Sequence, residues 1–234
     1  MAEYSIFSMC TKNYRDAYDF VIGSWLRTTV KNIYIYTDDE NWRSDNDRIK
    51  IIKLFDESDD WLVNVGRKFM VAEDVVKFGD KLLMFIDIDC YFVNDIGYIF
   101  DKHDFDFAIT RLYKMDTEIN SGLYFFRNTE HNRTFINDWS EDQEKNYKLG
   151  LGIKPYAGSY SQFGFSNTLR RYNTQGTHKI IDLDPQRYHR KVGKPHQKHD
   201  AIEDIKQNKI EVLHFYARTW RKKDSVEILS YLKS

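Results

Sequence analysis

Two carboxylates one residue apart, Asp87 and Asp89, follow directly on an unbroken apolar run, Leu82 to Ile86. A run of that length fits a central strand covered on both faces. Ligands of parallel α/β sheets bind outside the carboxyl ends of the strands, and the acidic pair falls at such an end. Carboxylate oxygen is a hard ligand suited to magnesium or manganese. A cation held there can neutralise charge developing on a diphosphate leaving group. The spacing alone serves equally well for a strand-end turn or a helix cap, so its surroundings must decide.

The elements that would position the pair show as periodic runs. Tyr4 to Cys10 reads as a buried strand. Tyr14 to Thr29 has helical spacing, with Ala17, Phe20, Val21, Trp25 and Leu26 on or near one face. Asn32 to Thr37 is a second strand, ending at Asp38-Asp39. Asp47 to Phe55 fits a short helix or a strand with a flanking helix. Asp60 to Phe78 reads as a helix closed by Gly79. Asp95 to Asp101 is a helical turn. Phe105 to Thr110 and Ile119 to Phe126 are strands. Thr129 to Tyr147 is a polar helix burying Phe135, Ile136 and Trp139. Gly150 to Gly158 reads as a loop, and Ser161 to Tyr172 as a helix opened by Ser161. Lys179 to Leu183 and Lys209 to Phe215 are strands separated by a basic, His-rich loop, and Val226 to Leu232 is a closing helix.

Alternating strands and helices in the first half imply βαβ units and a mainly parallel sheet. The strand-rich second half breaks that regularity. The expected architecture is one α/β domain over residues 1–234. Residues 1–100 would form a nucleotide-binding half and 101–234 an acceptor-binding half.

Three segments, in order, carry a family resemblance. Leu82 to Val93 resembles the DxD region of GT-A fold glycosyltransferases. Asn120-Ser121-Gly122-Leu123-Tyr124-Phe125-Phe126 resembles the "NSG" and apolar strand downstream of DxD in many retaining members. Glu211-Val212-Leu213-His214-Phe215-Tyr216 resembles the late strand that ends in a metal-binding histidine. The resemblance spans Ser5 to Lys223. Each motif alone is weak; the three in order are specific for the superfamily and not for one member family. They imply a GT-A, Rossmann-like fold with a mainly parallel central sheet, flanking helices and a smaller antiparallel portion. The implied activity is transfer of a hexose or pentose from a nucleotide-diphosphate sugar, with UDP the commonest nucleotide and GDP next. The implied acceptor is a glycan, glycoprotein or glycolipid.

The resemblance also implies roles. Asp87 and Asp89 would hold the cation, with Asp87 also near the donor ribose, and His214 would be the third ligand. Imidazole favours manganese over magnesium. Thr11 and Tyr14, after the first strand, would grip base and ribose; Tyr14 serves helix packing equally well. Asp38 would contact the nucleoside or form a plain Asp turn. Arg67 and Lys68 would face donor phosphate or ribose. Asn120 and Ser121 would reach the donor sugar, with Gly122 admitting close backbone approach. Some retaining families carry Asp-Gln where this chain has Ser161-Gln162, so Gln162 is the one residue of that pair carried over beside the anomeric carbon. A basic residue after the histidine would meet the leaving diphosphate; the usual Gly-containing pattern is absent from Ala217-Arg218-Thr219-Trp220, so Arg218, Lys222 and Lys223 all stand, with Lys222 taken here. With retention no protein nucleophile is required. Inversion would need a carboxylate base, for which Asp116 and Glu118 are placed.

The remaining features bound the function. A net charge of −1 gives no sign of nucleic-acid binding. Cys10 and Cys90 form neither a metal-ligand spacing nor a disulfide framework and read as free thiols in a reducing compartment, a single bridge being the alternative. The opening residues go straight into a strand pattern without a secretory leader, and no run spans a bilayer. A cytoplasmic enzyme is expected, in a bacterium building surface polysaccharide or in a virus-infected host cell; peripheral membrane association is left open. The aromatic share, 16%, suits a carbohydrate cleft or an aromatic core. Two rivals stand beside glycosyl transfer. A sugar nucleotidyltransferase would want glycine in the segment Thr11 to Arg15, which has none. A non-catalytic nucleotide-sugar-binding module would have no need of intact Asp87, Asp89 and His214.

Overall fold

In a computed structural model of the chain, the structure describes residues 2–58, 66–111, 119–148, 160–192, 195–215, 227–228 and 230–232. A seven-stranded sheet has the order β3-β2-β1-β4-β7-β6-β8. Its strands are β1 (Tyr4–Met9), β2 (Val30–Thr37), β3 (Ile49–Lys53), β4 (Leu82–Ile86), β6 (Phe107–Arg111), β7 (Ile119–Arg127) and β8 (Ile180–Leu183). β1 to β4 pair in parallel, β7 runs against both neighbours, and β6 pairs in parallel with β8. The sheet is thus mainly parallel with one reversed strand. A second sheet joins β5 (Cys90–Phe92), β10 (Val212–His214) and β9 (Arg190–Lys191) in the order β5-β10-β9. The helices are α1 (Arg15–Leu26), α2 (Lys68–Val75), α3 (Tyr98–Lys102), α4 (Glu130–Lys148), α5 (Tyr160–Gln175), α6 (Pro185–Tyr188) and α7 (Pro195–Lys206).

Alternation along the strands feeds two cores, one on each face of the sheet. Ile6, Ile33, Ile35, Met84 and Ile86 pack with Val21 and Trp25 of α1. Phe7, Tyr34, Leu83, Phe85 and Tyr124 pack with Val71 of α2, Trp139 of α4 and Phe165 of α5. This is why β4 is apolar throughout: both of its faces are covered. Much of the aromatic content lies in the second core, where Phe85 and Tyr124 stack at 5.1 Å.

The structure resolves the Asp47–Phe55 ambiguity as a strand, β3. It corrects the reading of the stretch between β8 and β10 as a loop. That stretch holds α6, β9 and α7, and α7 buries Ala201 and Ile205. Ser161 lies in α5. Gly79 ends the helical segment after α2 at φ 81°, a conformation glycine adopts without strain. The Gly150–Gly158 segment lies outside the described residues.

Asp80 ties the amino-terminal edge of the sheet together. Its carboxylate accepts from Ser5 Oγ at 2.7 Å, Asn32 Nδ2 at 3.0 Å and Tyr34 Oη at 2.6 Å. Lys31 Nζ stands 3.6 Å away. Burial pushes this carboxyl up, but the three hydrogen bonds and Lys31 outweigh it and hold it below the usual carboxylate range. A depressed folded value contributes stability above the unfolded value of about 3.9, lost as pH falls through the folded value. Asp80→Asn is expected to cost about 1–3 kcal/mol at neutral pH. In urea melts the gap to wild type should close as pH drops below about 4; equal midpoints at pH 7 would contradict this role.

Candidate active site

The site is built where β4 ends and turns into β5. The turn is fastened on both sides: Asp87 N donates to Gly122 O of β7 at 2.8 Å, and Cys90 N donates to Asp87 O at 3.1 Å. Helix α1 holds β5 from behind, with Trp25 Nε1 donating to Cys90 O at 2.8 Å and Phe92 N donating to Ser24 Oγ at 3.0 Å. On the other side β10 pairs antiparallel with β5, placing His214 opposite Cys90. Phe215 N then donates to Asp89 O at 2.9 Å. Buried Glu211, just before β10, accepts from Tyr98 Oη at 3.1 Å and from Arg187, which ties α6 to the same edge.

These contacts bring ligand atoms of Asp87, Asp89 and His214 within 4.8 Å of one another. Two carboxylates and an imidazole are a donor set that fits manganese or magnesium. His214 Nε2 lies 3.2 Å from Asp89 Oδ1. Burial works against ionisation of Asp89, and the facing His214 overrides it, so this carboxyl sits below its ordinary value. Lys68, buried at the start of α2, places Nζ 2.6 Å from Asp87 Oδ1. The site therefore carries its own cation against the first carboxylate.

The Asn120-Ser121-Gly122 segment lies on β7 beside the turn. Asn120 Oδ1 accepts from Gly122 N at 2.9 Å, and Asn120 Nδ2 lies 2.6 Å from His189 Nδ1. The His189 ring packs on His214 with centroids 4.3 Å apart. Burial pushes the His189 imidazole well below the ordinary histidine value, reinforced by His214, Lys191 and Lys68. A methyl group on Gly122 would fall 2.5 Å from Asp87 Oδ2 and 3.1 Å from His189 Nε2, so backbone and carboxylate meet here at glycine distance. Ser121 is buried within β7.

Asp87, Asp89, His214, Lys68, Asn120 and Gly122 are therefore joined in one cluster. Thr11, Tyr14 and Asp38 gather at the neighbouring carboxyl ends of β1 and β2. There Thr11 O accepts from Tyr14 N at 2.8 Å, and Asp38 Oδ1 accepts from Lys12 N at 2.7 Å. Arg67 donates to Asp56 O at 2.8 Å and lies over Phe55. Gln162 sits in the first turn of α5, its Nε2 buried with no hydrogen-bond partner among the described residues. No hydrogen bond among the described residues links it to the cluster. Asp116, Glu118, Arg218, Lys222 and Lys223 lie outside the described residues.

Sequence reasoning gives no role to His189, because it falls in the stretch that reads as a loop. A signal is present nonetheless. Asp184 caps α6 by accepting from Gln186 N at 2.9 Å, with Pro185 at the first helical position. Asp-Pro there is a helix-start signature, and it places His189 just past the end of a short helix.

A family model described as nucleotide-diphospho-sugar transferase matches residues 23–222. Among solved structures, the chain is similar to the glycosyltransferase GlyE of Streptococcus pneumoniae TIGR4, with a TM-score of 0.65 and 14% identity. The match covers 99% of this chain and 61% of that one, and at this identity it is a likeness of fold. No curated protein matches the chain by sequence.

Proposed function

The chain belongs to the nucleotide-diphospho-sugar transferase family, and from that premise we propose that it is a cation-dependent glycosyltransferase using a UDP-sugar. The observation that carries the reading is the convergence of Asp87 and Asp89, from the turn after β4, and His214 of β10, with ligand atoms within 4.8 Å of one another. Manganese suits the imidazole in this set, and magnesium is the alternative. When bound, the cation supplies charge neutralisation at the departing diphosphate.

In this reading residues 1–100 take the nucleotide, with Thr11, Tyr14 and Asp38 toward base and ribose and Arg67 toward phosphate. Lys68 holds the Asp87 carboxylate in place. Residues 101–234 take the acceptor, a hydroxyl of a glycan, glycoprotein or glycolipid. Gln162 and Ser121 line the sugar, and Lys222 meets the diphosphate. Asn120, whose amide bonds Gly122 and His189, turns its remaining hydrogen-bonding capacity to the same sugar. The acceptor oxygen forms its bond to the anomeric carbon on the face from which the diphosphate oxygen leaves, and a phosphate oxygen takes the acceptor proton. The sugar thus keeps its configuration. The chain contributes positioning, electrostatics and exclusion of water. Among the described residues no helix is long and apolar enough to cross a membrane. We place the enzyme in the cytoplasm, working on surface polysaccharide or protein glycosylation.

The test is incubation with a panel of UDP- and GDP-sugars in manganese, with the anomeric configuration of the product read by NMR. An α-linked donor should give an α-linked product. A β-linked product would overturn retention and require a general base such as Asp116 or Glu118. Donor binding without turnover would overturn the enzyme itself in favour of a nucleotide-sugar-binding module.

A further inference from the structure

His214 belongs to two possible ligand sets. One is Asp87, Asp89 and His214; the other is Cys90, His189 and His214, all three buried, and the ligand atoms of each set lie within 4.8 Å. One thiolate and two imidazoles suit zinc, which such ligands bind in preference to manganese. Each set draws on His214, so the two compete for it and the protein must decide between them.

We propose that Asn120 makes that decision by fixing the tautomer of His189, which closes the Cys90–His189–His214 set and leaves His214 to the two carboxylates. Gly122 N–H donates to Asn120 Oδ1 at 2.9 Å, which orients the amide with Nδ2 toward His189 Nδ1, 2.6 Å away. An amide nitrogen donates and does not accept. His189 Nδ1 is therefore the acceptor, and in the neutral ring the hydrogen sits on Nε2. Neither nitrogen is then open to a cation: the Nδ1 lone pair is engaged by Asn120, and Nε2 carries a hydrogen. Among the described residues Nε2 has no hydrogen-bond partner, so no neighbour there pulls the tautomer the other way. The soft set is reduced to two ligands, Cys90 and His214. Asn120 and His189 are in this sense positioning residues that select the ion.

The inference rests on the reading that Asp87, Asp89 and His214 hold the cation, and its test is read separately from that reading. Long-range ¹H–¹⁵N NMR of the wild-type protein should show His189 with a bare Nδ1 and a protonated Nε2. Cobalt(II), used as the probe ion, should give the wild type no sulfur-to-metal charge-transfer absorption. Asn120→Asp keeps one oxygen for Gly122 N–H and offers the other to His189 Nδ1, which must now donate, so the free lone pair moves to Nε2. That variant should show the cobalt–sulfur band, lose it again in the Asn120→Asp/Cys90→Ser double variant, and bind zinc about 10- to 100-fold more tightly than wild type. A protonated Nδ1 or a cobalt–sulfur band in the wild type would overturn the proposal. So would a folded Asn120→Asp variant without the band. The two wild-type measurements decide the matter if the variant does not fold. Mn²⁺ binding is scored independently: a wild type that binds no Mn²⁺ overturns the carboxylate site and this inference together, whereas a protonated Nδ1 with Mn²⁺ binding intact overturns this inference alone.

Discussion

Asp89→Asn is expected to lower sugar transfer by a factor of about 10³ or more and to weaken Mn²⁺ binding by about 100-fold. Asp89 is 8% exposed, its backbone oxygen is fixed by Phe215 N at 2.9 Å, and its Oδ1 faces His214 Nε2 at 3.2 Å. The amide keeps the shape and removes the charge. A neutral oxygen is a far weaker partner for a divalent ion, and no other described carboxylate shares a ligand set with Asp87 and His214. The substituted side chain can still donate or accept toward His214, so the fold should persist. Circular dichroism and a melting temperature close to wild type would confirm that the loss belongs to the site. EPR of free Mn²⁺ measures the affinity, and a product assay measures the rate. Wild-type values for both would remove Asp89 from the site.

Gly122→Ala is expected to reduce kcat about 100-fold while leaving a folded protein. The added methyl would come 2.5 Å from Asp87 Oδ2 and 3.0 Å from Asn120 Oδ1. Asp87 cannot retreat freely. Lys68 holds its other oxygen at 2.6 Å, and its backbone N–H is bonded to Gly122 O at 2.8 Å. Relief must come from rotating the carboxylate off its position or from parting β7 and the β4 turn. A displacement of about 1 Å at a group that positions the reaction costs on the order of 100-fold. The packing strain itself is worth about 1–3 kcal/mol, tolerable for a domain with two cores on one sheet. Steady-state kinetics beside a denaturant melt separate the two effects. Unchanged kcat would show that the close approach at Gly122 has no part in holding Asp87.

The fold and the site are legible in the sequence to different depths. β4 can be read with its observed bounds because five consecutive apolar residues between polar ones leave little choice at that length. β3 is ambiguous because Ile-Lys-Ile-Ile-Lys satisfies both a strand and a short helical face, and only its pairing with β2 decides it. α7 escapes because its apolar residues, Ala201, Ile202 and Ile205, come late in the helix, after a polar, His-rich opening that reads as loop. β5, three residues long, is made by its partner β10 and by α1 rather than by its own composition. The spacing of Asp87 and Asp89 leaves turn and ligand equally open. The resemblance ties them to His214, and the register of β5 against β10 accounts physically for how a residue so distant in sequence reaches them. Asn120 illustrates what the chain alone does not reveal. Its type suits a contact to the donor sugar; its amide also bonds Gly122 and His189, and His189 lies in a segment without a strong periodic signal.

Calorimetric titration of UDP into the protein, once with Mn²⁺ and once with EDTA, probes the cation clamp most directly. Heat of binding is expected with Mn²⁺, and at least about a 100-fold loss of affinity without it. Equal affinity in both titrations would contradict a cation held by Asp87, Asp89 and His214 as the clamp on the diphosphate.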